Sequence, residues 1–226
     1  MRGDHGLIGE LASRLSGSSD LYGSSGRQPH ASINFVTAHD GLTMHDLTIL
    51  DHDRHHAWDC GPALRMQQLK NYFAILLLAA GTPMWVMGDE FGRTQGGHDN
   101  PYNLDNEVSW VDWSRAGEWS DLNEFVRGVV ELRRAHPPVR FRFYGVGPTI
   151  DEGYLSHSLA WCSGDLYVMV NMWWEPLTFE VQEPGSWELA VTTEGEHTSG
   201  GTAHAALPGT FTLAPRSIVV LRRPAI

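Results

Sequence analysis

The sequence has few cysteines, few basic residues and no long apolar run. Only Cys60 and Cys162 occur in 226 residues, which argues against a disulfide framework and for free thiols in a reducing cytoplasm. Lys and Arg number 16 against 27 Asp and Glu, a net charge of -11, so nucleic acids and anionic membranes would be repelled. The longest apolar stretch, 74–80, is too short to span a bilayer. We therefore expect a cytoplasmic protein whose partner is neither a nucleic acid nor a membrane.

The first part of the chain alternates between helical and strand patterns. Apolar spacing predicts helices over 6–15 and 64–80, the second buried nearly all round, and an amphipathic helix from about Leu122. Two apolar runs, 33–37 and 84–87, predict short strands covered on both faces, as parallel strands are. The order strand, helix, strand indicates an α/β structure.

The rest of the chain, from Pro138 onward, consists of short β-type runs separated by turn signals. This is the pattern of an antiparallel β-sandwich. We therefore expect an α/β part over 1–137 and a β-sandwich over 138–226. The predicted strands of the sandwich cover 155–162, 166–171, 178–181, 187–191, 209–213 and 217–221.

Acidic side chains follow both predicted parallel strands. His39 and Asp40 end the first run, and Asp89 and Glu90 follow the second. In parallel α/β folds, catalytic groups lie at the carboxyl ends of strands. A carboxylate there could stabilise positive charge, act as a nucleophile or act as an acid, depending on how its neighbours shift its pKa. The alternative is that His39 and Asp40 pair with each other and cap the next element, and that Asp89 and Glu90 cap a helix.

A further group of His and Asp residues follows the first predicted strand. These side chains are of the types that bind metal ions, so a metal site must be considered. The spacing of the group fits no fixed pattern such as H-E-x-x-H, so we expect a solvated polar loop, no metal and no cofactor. The His39-Asp40 pair also resembles that of metal-dependent phosphohydrolases, which would be a different class of enzyme. Those pairs lie on helices, however, whereas a strand pattern precedes His39. The group consists of His45, Asp46, Asp51, His52, Asp53, His55, His56 and Asp59.

Three segments together resemble one known family. They read RGDHGLIGELASRLSGSSDLYG (2–23), NFVTAHDGLTMHDL (34–47) and GTPMWVMGDEFGRTQGGHDNPYNLDNEVSWVDW (81–113). Over about 1–138, and more loosely beyond, the chain resembles the C-terminal part of bacterial glycogen debranching enzymes of the isoamylase type. These enzymes belong to the α-amylase clan of glycoside hydrolases.

The resemblance implies a fold, a reaction and a set of site residues. The fold would be the last two βα units of a (β/α)8 TIM barrel followed by an antiparallel β-sandwich. The reaction would be the retaining hydrolysis of α-1,6 branch linkages in glycogen or a similar branched α-glucan. By resemblance, Asp40 stabilises the transition state and His39 hydrogen-bonds the same glucosyl unit. Asp89 and Glu90 would be substrate-binding residues of the cleft wall.

The resemblance also implies that part of the catalytic machinery lies elsewhere. A retaining hydrolase needs a nucleophile and an acid/base about 5 Å apart, which the family places after its fourth and fifth strands. Two βα units cannot close an eight-stranded barrel. We therefore expect this chain to be inactive alone. The alternative is a non-catalytic glucan-binding or assembly module, in which an upstream chain completes the barrel in trans. The loop at 51–61 is also shorter than the family's, which would alter the rim of the cleft.

Overall fold

The computed structural model describes residues 1–195 and 209–224 of the chain. No helix in these two segments is both long enough and apolar enough to cross a membrane. Single turns of 3-10 helix occur at Gly23–Ser25, Pro29–Ala31, Asp46–Thr48, Asp53–His55 and Asp89–Phe91. The α-helices are α1 (Ile8–Leu15), α2 (Ser19–Tyr22), α3 (Pro62–Leu78), α4 (Arg115–Glu118) and α5 (Ser120–Ala135). The strands are β1 (Ile33–Asn34), β2 (Thr82–Pro83), β3 (Phe141–Tyr144), β4 (Ser158–Ser163), β5 (Leu166–Asn171), β6 (Leu177–Glu180), β7 (Glu188–Thr192), β8 (Thr210–Leu213) and β9 (Ile218–Arg222).

The two strands of the first part, β1 and β2, are parallel as predicted but much shorter. Ile33 lies opposite Thr82, and the Met84 N–H still donates to the Asn34 carbonyl at 2.8 Å. After Met84 the chain leaves β1 and turns, so the prediction of a strand over 84–87 is wrong. Burial on both faces is also wrong, because the side chains of Ile33 and Phe35 are 60% and 55% exposed.

Helices α3 and α5 pack against each other and supply the centre of the first core. Leu69 and Phe73 of α3 and Phe125 of α5 are almost completely buried, as their apolar spacing predicts. Helix α3 ends two residues before the predicted bound, because Ala79 has an extended backbone conformation, with φ -74° and ψ 151°. Arg133 of α5 donates to the carbonyls of Ala79 at 2.7 Å and Gly81 at 2.6 Å. A side chain thus satisfies carbonyls at the end of the helix.

The second part contains two antiparallel sheets, in the strand orders β3-β4-β5-β9-β7 and β6-β8. All six predicted strands are present within a few residues of their expected bounds, and β3 is additional. Along β4, Leu159 and Trp161 belong to the core shared with the helices, whereas Ala160 and Cys162 belong to the core shared with β6 and β8. Successive side chains of a strand point to opposite faces. The five-stranded sheet is therefore covered by helices on one face and by the smaller sheet on the other.

Candidate active site

His39 and Asp40 lie in the open, in the segment that follows β1. Their side chains are 89% and 80% exposed, and the His39 Nε2 atom lies 3.4 Å from the Asp40 Oδ2 atom. They do pair with each other, as the alternative interpretation expects. They do not cap the next helical turn, Asp46–Thr48, whose N-cap position is His45. Nor do they lie on a helix, as the pair of a phosphohydrolase would. The Asp40 carboxylate is thus available to a ligand.

Gly41 fixes the chain direction immediately after Asp40. Its φ of +101° lies in the region that favours glycine. The Gly41 N–H donates to the Asp99 carbonyl at 2.8 Å, and the Gly41 carbonyl accepts from the Gln95 side chain at 3.2 Å. The loop at 92–99 therefore holds the backbone beside Asp40. Sequence reasoning missed Gln95 and Asp99 as supporting residues, and the only signal was that both lie within the third family-like segment.

Asp89 is fully buried, where the sequence suggested a substrate contact. Its carboxylate accepts hydrogen bonds from the Thr37 hydroxyl at 2.7 Å and from the Met44 N–H at 3.0 Å. Burial raises the pKa of Asp89 to about 6, against the opposing effect of these two bonds. Asp89 therefore joins the segment after β2 to the segment after β1 rather than facing solvent.

Glu90 is half-buried and is held by its own loop. Its Oε2 atom accepts from the Trp85 indole N–H at 3.2 Å and from the Gly88 N–H at 2.9 Å. Glu90 also lies in the helical turn Asp89–Phe91, which Gly88 immediately precedes. This agrees in part with the interpretation that acids after a strand cap the next turn.

Asp46 is the buried centre of the polar segment after β1. It accepts from the Thr94 hydroxyl at 2.5 Å, from the Gln95 N–H at 2.8 Å and from the Gly97 N–H at 3.3 Å. Burial alone would raise the pKa of Asp46, but the nearby His45 ring, with its Nδ1 atom 3.5 Å from the Asp46 Oδ1 atom, and these hydrogen bonds lower the pKa below its usual value. The prediction of a solvated loop is thus wrong for Asp46 and for the buried His45.

The histidines of the polar segment have a different arrangement. His52 and His55 lie beside each other, with ring centroids 4.8 Å apart, and the His55 Nε2 atom lies 3.0 Å from the Asp99 Oδ2 atom. Potential ligand atoms of these three residues all lie within 4.8 Å of one another. Sequence spacing could not indicate this group, because Asp99 lies 44 positions beyond His55.

The chain is similar to named proteins in both sequence and structure, although no family model matches it. The glycogen operon protein GlgX homolog of Mycobacterium tuberculosis is 42% identical over 185 residues, which cover 71% of this chain and 26% of that protein. The isoamylase of Flavobacterium sp. is 33% identical over 256 residues, covering 91% of this chain and 33% of that protein. A solved structure of a pullulanase variant from Paenibacillus barengoltzii, complexed with maltotriose, has a TM-score of 0.77 at 28% identity and covers 99% of this chain and 35% of that one.

These similarities settle the resemblance that the three sequence segments indicate. The chain spans only about a quarter to a third of the length of the curated relatives, 26% of one and 33% of the other. Relatives named isoamylase and glycogen debranching enzyme are glycoside hydrolases. The chain is therefore homologous to the C-terminal part of the isoamylase-type glycogen debranching enzymes of the α-amylase family.

Proposed function

We propose that this chain is the C-terminal portion of a retaining α-1,6-glucosidase that debranches glycogen or a similar branched α-glucan. The observation that carries the proposal is the position of His39 and Asp40. Both follow a strand of a parallel pair, both are exposed, and the backbone after them is held by a separate loop. This is where parallel α/β folds present catalytic groups.

Asp40 has the role of stabilising the positive charge that develops on the sugar in an oxocarbenium-like transition state. Two unit charges 4 Å apart attract by about 1 kcal/mol in water and by about 4 kcal/mol at an effective dielectric constant of 20. The Asp40 side chain is 80% exposed, so in this chain its attraction for a positive charge is close to the value in water. The remaining barrel would exclude water and strengthen the same interaction. His39, at 3.4 Å from Asp40, is proposed to hydrogen-bond the same glucosyl unit.

Asp89 and Glu90 have supporting roles in this proposal. Glu90 keeps its proposed contact with substrate, because it is only half-buried beside Trp85. Asp89 is proposed to act through the Thr37 segment that it holds, since a fully buried carboxylate cannot reach a sugar unless that segment moves. The nucleophile and the acid/base would come from the rest of the barrel.

The proposed architecture is the last two βα units of a (β/α)8 barrel over 1–137, followed by the β-sandwich over 138–226. It is supported by a groove of about 310 Å³ between α1, β1 and α3, lined among others by Leu11, Phe35 and Ile75. Within the described residues, β1 pairs only with β2, so the groove leaves room for a further strand. The proposed setting is the cytoplasm, in keeping with the free thiols of Cys60 and Cys162.

The same groove favours a second candidate function, a non-catalytic glucan-binding or assembly module. In that case an upstream chain would complete the barrel in trans, and the exposed side chains of Ile33 and Phe35 would form part of the interface. The two candidates differ in whether the assembled protein cleaves glycogen.

The test combines this chain with the missing portion. The purified chain alone should release no reducing ends from glycogen, with an active isoamylase as positive control. Co-expression with the N-terminal portion of the Mycobacterium relative should produce debranching activity. In that assembly, Asp40→Asn should lower kcat on the order of 100-fold, whereas Asp151→Asn, at an exposed position, should not.

Each outcome bears on one statement of the proposal. Activity of the chain alone would contradict the missing nucleophile. An assembly that binds glycogen without cleaving it would favour the assembly module. Equal activity of the wild-type and Asp40→Asn assemblies would remove Asp40 from the mechanism.

A further inference from the structure

We propose that His52, His55 and Asp99 form a binding site for a divalent transition-metal ion such as Zn²⁺, beside the strand end that carries Asp40. Imidazole nitrogens and a carboxylate are ligands that Zn²⁺ accepts, and three protein ligands leave a coordination position for water. The site goes beyond the proposed glucosidase activity. Its geometry and its test do not depend on that activity.

The distances between the three side chains suit a single ion. Zinc–ligand bonds of about 2.0–2.2 Å in a tetrahedron place neighbouring ligand atoms roughly 3.3 Å apart. The His55 Nε2 and Asp99 Oδ2 atoms are already 3.0 Å apart, and potential ligand atoms of all three residues lie within 4.8 Å of one another. His52 is exposed, so a rotation of its side chain can close the remaining gap.

The backbone holds both sides of the site. The His52 N–H donates to the Ala57 carbonyl at 3.4 Å, and the Ala57 N–H donates to the His52 carbonyl at 3.1 Å. The two histidines are thus presented by a closed turn that contains the helical segment Asp53–His55. On the other side, the Asp99 carbonyl accepts from the Gly41 N–H at 2.8 Å. An ion would therefore join two loops that are already positioned, which reduces the entropy lost on binding.

The side chain of Arg54 competes with a metal ion for the Asp99 carboxylate. The Arg54 guanidinium lies 3.7 Å from the Asp99 carboxylate, and its side chain is 78% exposed. The Arg54 guanidinium partly fills the position that a metal ion would take, and this exposed side chain can move away without losing buried contacts. Removing it should therefore strengthen metal binding, which a site formed only by loose surface histidines would not show.

The experiment measures Zn²⁺ binding to the EDTA-treated, dialysed chain by isothermal titration calorimetry at neutral pH. We expect one ion per chain. His52→Ala and Asp99→Asn should each weaken the affinity at least tenfold, whereas His30→Ala, at an exposed histidine of another loop, should leave it unchanged. Arg54→Ala should tighten binding about fivefold, the effect of one screened unit charge.

Two further readouts separate a defined site from nonspecific binding. Co²⁺ in the same site should give visible absorption bands that His52→Ala abolishes. The Gly41 amide should exchange more slowly with solvent in saturating Zn²⁺, measured by NMR, because its acceptor belongs to Asp99. Thermal unfolding in EDTA should be the same for wild type and His52→Ala, which shows that the exposed substitution leaves the fold intact.

Several results would overturn the proposal. One is the failure of Zn²⁺ to bind saturably at concentrations below about 1 mM, which corresponds to a binding free energy weaker than about -4 kcal/mol. Another is an equal loss of affinity in His52→Ala and His30→Ala. A third is weaker binding by Arg54→Ala than by wild type. None of these results bears on glycogen cleavage, so the two proposals fail separately.

Discussion

The Thr37 hydroxyl donates to the buried Asp89 carboxylate at 2.7 Å. Thr37 lies two residues before His39 in the sequence. A second bond to the same carboxylate comes from the Met44 N–H at 3.0 Å. Asp89 thus receives bonds from both sides of the exposed His39-Asp40 pair. The buried acid after β2 determines where the exposed acid after β1 is presented.

Replacing Thr37 with valine should destabilise the chain. Valine has a similar shape but cannot donate, so the buried Asp89 carboxylate loses one of its two donors, at a cost of about 1–3 kcal/mol. Urea unfolding followed by circular dichroism measures the change. The matched control is Thr178→Val, because the Thr178 hydroxyl bonds to Thr212 in the open and should change stability by less than about 0.5 kcal/mol. Equal effects of the two substitutions would contradict the structural role of Asp89.

The stability of the chain should depend on the ionisation of Asp89. Its pKa rises from 3.8 to about 6 on folding because of burial, so between about pH 4 and pH 6 the folded state keeps a proton that the unfolded state has lost. Stability therefore falls as the pH rises through this interval. At about 1.4 kcal/mol per pKa unit, the decrease is about 3 kcal/mol.

Comparison of the wild type with Asp89→Asn isolates this contribution from that of other groups. Asparagine cannot ionise, and it can keep both contacts if its Oδ1 accepts from the Met44 N–H and its Nδ2 donates to the Thr37 hydroxyl oxygen. The unfolding free energy of Asp89→Asn should therefore fall less between pH 4 and pH 6.5 than that of the wild type. Urea titrations at several pH values measure the difference. Asp151→Asn changes an exposed carboxyl group and serves as the control. If the unfolding free energies of the wild type and Asp89→Asn changed in parallel with pH, the pKa of Asp89 would not be raised on folding.

The sequence predicts the order of the elements better than the environments of the candidate residues. The strand, helix, strand order follows from local apolar patterns, but β1 ends at Asn34, so His39 and Asp40 follow it after an intervening segment rather than directly. The burial of Asp89 depends on contacts with Thr37 and Met44, which lie 52 and 45 positions away in the chain. Such contacts leave no periodic signal in the sequence.

Helix α3 illustrates the same limit in the core. Its apolar residues correctly predict burial on nearly all sides, yet Lys70 and Asn71 are also buried. Lys70 donates to the Gly195 carbonyl at 2.9 Å, and Asn71 donates to the Arg216 carbonyl at 2.7 Å. These bonds satisfy polar atoms that would otherwise be costly to bury. They join α3 to loops more than 120 positions away, which no local pattern can indicate.

Gly41→Ala should destabilise the chain by about 1–3 kcal/mol, because an alanine at φ +101° is strained. Space is not the cause, since the nearest atom to an added methyl group is the His55 Nδ1 atom at 3.7 Å. Gly117→Ala is the control: it lies within α4, where an added methyl group meets nothing within 4 Å. That substitution should stabilise by about 0.5–1 kcal/mol. Thermal unfolding measures both effects, and a change of stability in the same direction for Gly41→Ala and Gly117→Ala would contradict the argument.

The groove beside β1 should make the isolated chain self-associate. Phe35 is 55% exposed at its edge, Ile33 is 60% exposed nearby, and an unpaired strand edge with apolar side chains favours association. Phe35→Asp should keep the chain monomeric in sedimentation velocity runs at rising concentration, with little change in stability. Tyr102→Asp removes a side chain that is 92% exposed elsewhere and should leave association unchanged.

If the groove is where the rest of the barrel docks, Phe35→Asp should also abolish assembly with the N-terminal portion of the Mycobacterium relative. A wild-type chain that stays monomeric at every concentration, or a Phe35→Asp chain that still assembles, would place the docking surface elsewhere.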